Sequence, residues 1–297
     1  MKVALVVSLA CGCLGWAQQQ PVFRSDVEAV FVDVFVTRGG QPVPGLRAAD
    51  FELKDNGVRQ AIEVLAAESQ PLNAVLVFDT SGSMAGERLD ALRSAGQAFL
   101  DGLRPADQAS LVTFSEEISA RRGPSPDKAE ARRALDQLQA RGATAVFDAL
   151  YAGIALAEAH GRSLVVLFTD GEDNSSFLDD RQLVRVAERS NALLHVVSGW
   201  RAPVQYQAGR TALAAGEPDD LKALRRIAEA SGGRLWSAES PARLREAFSA
   251  IATAMRHRYV LRYEATGVKR AGWHKLDVSL RGKKGDVETR RGYWVGG

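Results

Sequence analysis

Cysteine is almost absent from this sequence: Cys11 and Cys13 are the only two in 297 residues. Both sit in the opening segment, so the body of the chain has no thiol for a disulfide, a thiolate metal site or a redox centre. Histidine is nearly as scarce, with four in all, and His160, His195, His257 and His274 form no cluster, which argues against zinc. Each reads as a surface or satisfied structural residue. Positive charge is not in excess either. A net charge of +2 with 7% aromatics, and no basic face interleaved with them, leaves nucleic acid without a footprint. Arg256-His257-Arg258 and Lys283-Lys284 read as solvated turn or helix-end charges. What remains, 46% hydrophobic and 25% charged, is the composition of a folded globular chain.

Long apolar runs are missing as well. The nearest approach, Val3 to Leu14, is shorter than a bilayer span. It follows Met1-Lys2 and precedes the small-x-small site Gly15-Trp16-Ala17, so residues 1–17 read as a signal peptide cleaved before Gln18. Export to the periplasm or beyond is the expectation, with no integral membrane segment after cleavage. A lipoprotein is disfavoured because Ser8-Leu9-Ala10-Cys11 lacks a Leu three positions before the cysteine.

The most informative stretch is Ala74-Val75-Leu76-Val77-Phe78 followed by Asp79-Thr80-Ser81-Gly82-Ser83. A short β-branched run that stops at an acidic residue predicts a buried parallel strand delivering oxygens to a loop at the carboxyl edge of a sheet, where open α/β sheets bind ligands. A second such run, Ser163 to Thr169, ends in Asp170-Gly171-Glu172-Asp173. Between them Arg141-Gly142-Ala143-Thr144 forms a turn before the helical pattern Val146 to Ala159. Two carboxylates, Asp79 and Asp170, and three hydroxyls, Ser81, Ser83 and Thr144, are then expected at one edge. These are hard oxygen donors suited to Mg2+, with Mn2+ or Ca2+ as alternatives, and they leave room for one more anionic oxygen. The bland reading is that each merely caps a following helix. Glu172 and Asp173 read as a solvated acidic loop capping the next helix.

Asp79, Ser81 and Ser83 in a D-x-S-x-S loop, with Thr144 and Asp170, resemble the metal-ion-dependent adhesion site of the von Willebrand factor type A domain. Arg290-Arg291-Gly292-Tyr293 at the end is similar to the R-x-G-Y-like ending of A-domain proteins described from acidobacteria, which also carry a β-rich segment before the A domain. The resemblance implies that Ser81 and Ser83 coordinate the ion directly and Thr144 directly or through water. It implies that Asp79 and Asp170 act largely through waters or as close acceptors. It further implies that the open position is filled by a Glu or Asp carboxylate of a protein partner.

The fold expected is α/β: a doubly wound, Rossmann-like A domain at residues 71–256, beside a small β-sandwich shared by the segments 18–70 and 257–297. The alternation Val30, Val32, Val34, Val36 and the turn Asp55-Asn56-Gly57 belong to the first segment, and Tyr259 to Tyr263, Trp273 to Leu280 and Val287 to Val295 to the second. The connection Gly199 to Pro218, with Trp200, Arg201, Tyr206 and Arg210, is a candidate recognition loop. The function expected is exported, Mg2+-dependent, non-enzymatic protein binding of the adhesion type. A structural envelope-complex subunit is the alternative. A phosphohydrolase of the haloacid-dehalogenase type is the weaker one, because Ser81 stands where a second Asp is needed and no lysine faces the metal loops.

Overall fold

A computed structural model describes residues 29–65, 70–120, 123–158, 162–170, 173–200, 218–269 and 271–296. The expected signal peptide, and Arg201, Tyr206 and Arg210 of the candidate recognition loop, lie outside the described residues. In chain order, β1 (Ala29–Arg38), β2 (Gln41–Pro42), β3 (Phe51–Asp55), β4 (Val58–Arg59) and β5 (Ile62–Leu65) come first. The α/β region follows with β6 (Leu72–Asp79), α1 (Glu87–Gly102), β7 (Gln108–Phe114), β8 (Ile118–Ala120), α2 (Lys128–Asp136) and α3 (Val146–Ala157). It continues through β9 (Arg162–Thr169), α4 (Asp180–Arg189), β10 (Leu193–Gly199), α5 (Asp219–Ser231), β11 (Leu235–Ala238) and α6 (Pro241–His257). The chain closes with β12 (Tyr259–Glu264), β13 (Gly272–Leu280), β14 (Asp286–Glu288) and β15 (Gly292–Val295). Among the described residues, no helix is long and apolar enough to cross a membrane.

The six-stranded sheet runs β11-β10-β9-β6-β7-β8, parallel except for β8. Every residue of β6 and β9 is buried, because helices cover both faces and neither face can be polar. Alternate residues of β6 serve two cores. Ala74, Leu76 and Phe78 pack with α1, α2 and α6, whereas Val75 and Val77 pack with α3, α4 and α5. Phe248 of α6 anchors the first core, edge-on to Phe78 at 5.6 Å and to Phe99 at 6.2 Å. Strand order reverses between β6 and β9, and there the crevice opens at the carboxyl edge.

The two ends of the chain meet in a β-sandwich. One sheet orders β14-β1-β12-β5, with β2 on β1, and the facing sheet orders β15-β13-β3-β4. Val32 opposes Leu261 on β12, Leu53 opposes Val278 on β13, and these residues, with Phe51 and Tyr263, fill the core between the sheets. The stretch Val287 to Val295 is not one strand as expected. It breaks into β14 on one sheet and β15 on the other. The break lies where Arg290 buries its side chain, donating to Gly292 O at 2.7 Å and Ser190 O at 2.9 Å, so the strand must change sheets there. At the heart of the sandwich, Asp55 accepts from Tyr263 and Tyr293 hydroxyls, each at 2.9 Å, and pairs with His274 Nδ1 at 2.9 Å. Burial pushes both tyrosine hydroxyls up, so they stay protonated and donating.

The sandwich docks on the amino edge of the parallel sheet through buried arginines. Arg162 donates to Asp33 Oδ1 at 3.0 Å and to Met255 O, in the last turn of α6, at 2.9 Å. Arg258, expected to be solvated, is 2% exposed and reaches Gly232 O at the end of α5 at 3.4 Å. Burial lowers its pKa to about 10, which still leaves it charged at neutral pH. Arg290 takes Glu188 O and Ser190 O at the end of α4. These carbonyls are the negative ends of helix dipoles, which is why a guanidinium is tolerated without water. Gly232 is left-handed at φ 88°, and a Cβ there would meet Arg290 N at 2.4 Å, so the contact needs glycine.

Candidate metal centre

Strand β6 ends at Asp79 and β9 ends one residue before Asp170. Phe78 opposes Phe168 in register, so the two carboxylates sit on adjacent strand ends. Asp79 is 0% exposed, with Oδ1 accepting from Ser81 N at 2.8 Å and Oδ2 from the Thr169 hydroxyl at 2.7 Å. The Ser81 and Ser83 hydroxyls are 3.1 Å apart, and Ser83 Oγ donates to Asp170 Oδ1 at 2.8 Å. The turn with Thr144 is stitched to the first loop by Gly82 N to Gly142 O at 3.0 Å and Arg141 N to Thr80 O at 2.8 Å. Thr144 is tied to the third loop by a reciprocal pair. Its N–H donates to Asn174 Oδ1 at 2.9 Å, and its carbonyl accepts from Asn174 N at 3.0 Å. Gly142, at φ 76°, leaves room for the Glu116 carboxylate, which a Cβ would meet at 2.4 Å. All five expected residues are thus gathered at one edge.

None of the five caps an α-helix. The N-cap of α1 is Gly86 and that of α3 is Ala145, neither with a side-chain cap bond. The first amides of α3 are taken by Asp173 Oδ1, at 2.7 Å from Val146 N, and by Ser176 Oγ, at 3.0 Å from Phe147 N. This corrects the reading of Asp173: it caps the preceding helix, while α4 is capped by Asp179. Glu172 lies outside the described residues. The capping alternative therefore does not account for the two carboxylates and three hydroxyls.

The site is short of positive charge. Burial raises the Asp79 pKa, and the nearby Asp170 charge adds to this, against hydrogen bonds from Ser81 and Thr169 that lower it. Among the described residues one cation touches the site, and sequence reasoning missed it. Arg88 Nη1 donates to Asp170 Oδ2 at 2.8 Å and to Ser83 O at 3.3 Å. A signal was available, because a basic residue in the first turn of a helix opposes the dipole and needs another reason to be there. Thr169 was also missed, although a hydroxyl residue at the strand end beside a buried carboxylate is its natural donor.

Residues 74–172 match the von Willebrand factor type A domain model. The chain contains a von Willebrand factor type A domain. Over the A domain it is 36% identical to inter-alpha-trypsin inhibitor heavy chain H4 of Homo sapiens across 119 residues, 35% of this chain and 13% of that protein. It is also 36% identical to an uncharacterized protein of Synechocystis across 114 residues, 35% of this chain and 26% of that one. These matches thus span about a quarter or less of those relatives. Among solved structures, a von Willebrand factor type A protein from Catenulispora acidiphila aligns with a TM-score of 0.53 and 16% identity, covering 85% of this chain and 75% of that one. Proximal thread matrix protein 1 from the mussel byssus aligns with a TM-score of 0.50 and 16% identity, covering 69% of this chain and 50% of that one. At such identity the two structures speak for the fold alone.

The donor set of the A domain fits a hard divalent cation. Asp79 and Asp170 balance its charge, and Ser81, Ser83 and Thr144 offer neutral oxygens at the same edge. Among the described residues, no group of three or more His, Cys, Asp or Glu side chains could hold a metal, so a site here would depend on hydroxyls.

Proposed function

We propose that this protein is an exported, Mg2+-dependent protein-binding module whose metal centre takes a Glu or Asp carboxylate from a partner protein. The observation that carries the reading is the gathering of two carboxylates and three hydroxyls that cap no α-helix at the carboxyl edge of the A-domain sheet. Ser81, Ser83 and Thr144 would hold the ion, and Asp79 and Asp170 would neutralise it from beside or through water. When bound, the ion supplies a Lewis-acidic position for a hard anionic oxygen. The chain's own part is to orient the hydroxyls, through the Asp79 bond to Ser81 N and the Asp170 bond to Ser83 Oγ. Phe177, 98% exposed on the loop after β9, adds an apolar contact at the same edge.

A phosphohydrolase reading fares worse. Its nucleophile would be Asp79, whose two oxygens are both engaged and which has no exposed surface. Arg88 does supply the cation the sequence reading found missing, so that objection falls and the burial of Asp79 carries the argument. A permanent structural subunit remains the other class of reading. The test is a pull-down from the native envelope with and without EDTA, together with calorimetric Mg2+ titration of Asp79→Ala and Asp170→Ala. Chelator-sensitive capture, and loss of Mg2+ binding in both folded variants, is the expected result. Co-purification indifferent to chelator would favour the structural subunit.

A further inference from the structure

We propose that Arg88 sets the charge of the metal centre: it competes with the divalent ion for Asp170 and makes the loaded site selective for an anion. The inference rests on the metal-binding reading above. Arg88 is the second residue of α1, where the helix dipole disfavours a cation. It is held there by the ion pair with Asp170 at 2.8 Å, whose carboxylate side chain is 0% exposed while that of Arg88 is 35% exposed. One oxygen of Asp170 is thereby committed to the guanidinium, and the other accepts from Ser83.

The charge count decides the consequence. Asp79 and Asp170 together carry two negative charges, which a divalent ion alone would cancel. Counting Asp79, Asp170 and Arg88 alone, with Glu116 and Asp173 set aside as held by backbone amides, the three side chains sum to −1 without the metal and to +1 with it. Two effects follow from the same side chain. Metal affinity is held down, because the ion enters next to a fixed positive charge and must share Asp170 with it. Ligand choice is sharpened, because a site left at +1 in a partly dehydrated crevice favours a carboxylate over its neutral amide. An A domain with a neutral residue at this position would bind the ion more tightly and discriminate less.

The experiment is calorimetric titration of Mg2+ into the full chain and into Arg88→Gln and Arg88→Lys, followed by titration of acetate, with acetamide as control, at saturating Mg2+. Thermal melts in EDTA check that each variant is folded. Arg88→Gln is expected to bind Mg2+ about tenfold more tightly and to favour acetate over acetamide by less than the wild-type chain does. Arg88→Lys keeps the charge and should stay within about threefold of wild type. Equal or weaker Mg2+ binding by folded Arg88→Gln would overturn the proposal and leave Arg88 as a strut for Asp170. Absence of Mg2+ binding by the wild-type chain would instead overturn the metal reading itself.

Discussion

The two edges of the parallel sheet handle buried charge in opposite ways. At the amino edge, Arg162, Arg258 and Arg290 meet one carboxylate, Asp33, and make up the difference with carbonyls at the ends of α4, α5 and α6. At the carboxyl edge, among the described residues, Asp79 and Asp170 have the partly exposed Arg88 between them, and the neutral hydroxyls nearby cannot cancel a charge. One edge is covered by the sandwich, and each of its three guanidiniums has an internal acceptor, although Arg258 Nε has none among the described residues. The other keeps two buried carboxylates against one partly exposed guanidinium, an excess of negative charge. A buried guanidinium is costly to strip of its internal acceptor, whereas an excess of carboxylate at a sheet edge can be met by a cation from outside.

The largest effect expected separates the two edges directly. Asp33→Ala removes the carboxylate shared by Arg162 and Arg258, and should cost about 3 kcal/mol, the lower end for a broken buried pair because the Asp33 side chain is 23% exposed. Urea unfolding measures the loss, and Mg2+ affinity should not change. A large change in affinity would mean that the two edges are coupled.

Asp79→Asn is the converse. It should weaken Mg2+ binding by about a hundredfold. Its melting temperature in EDTA should be no lower than that of wild type, because burial has raised the Asp79 pKa and the ionised form is a burden to the metal-free fold. A markedly lower melt in EDTA would show that the carboxylate is structural after all.

A pH series sharpens the contrast further. Burial, then the charge of Arg258, pushes the His195 pKa from 6.5 down to about 3, so the folded chain holds it neutral while the unfolded chain protonates it below 6.5. Stability should therefore fall with pH from 6.5 towards 3, with His195 contributing a slope of up to about 1.4 kcal/mol per pH unit. His195→Asn keeps an acceptor for Arg234 N and Trp236 Nε1, and should flatten that slope at the cost of lower stability at pH 7.5. An unchanged slope in urea midpoints would assign the titration to another group.

The smallest effect on stability is expected at Phe177. It is 98% exposed, so Phe177→Ala should shift unfolding by less than about 0.5 kcal/mol while reducing capture of the partner in Mg2+. Undiminished capture would place the partner's contact elsewhere on the edge.

These two edges were unequally legible in the amino-acid sequence. Asp79 and Asp170 are announced by the apolar runs that precede them, since a strand covered on both faces has a continuous pattern and an abrupt end. Thr144, Ser81 and Ser83 follow from local spacing. The amino edge has no such local mark. Arg258 sits in a charged tripeptide that reads as solvated, and only the topology brings Gly232 O and Asp33 to it. Arg290 is likewise unreadable until Ser190 and the break between β14 and β15 are placed together. Asp173 was visible as a cap, but which helix it caps depends on how the third loop folds back over α3.

The Asp55 cluster carries a consequence for the order of folding. Asp55 is separated by 208 residues from Tyr263, 219 from His274 and 238 from Tyr293. The A-domain strands and helices lie between them and can pair as soon as they are made, whereas the sandwich must wait for the end of the chain. Until then Asp55 stays in water, and the first five strands lack the strands that pair with them. A chain truncated before His274 is therefore expected to keep its A domain folded while its first segment stays open to proteases, so that the sandwich reports whether the later segment has joined the earlier one.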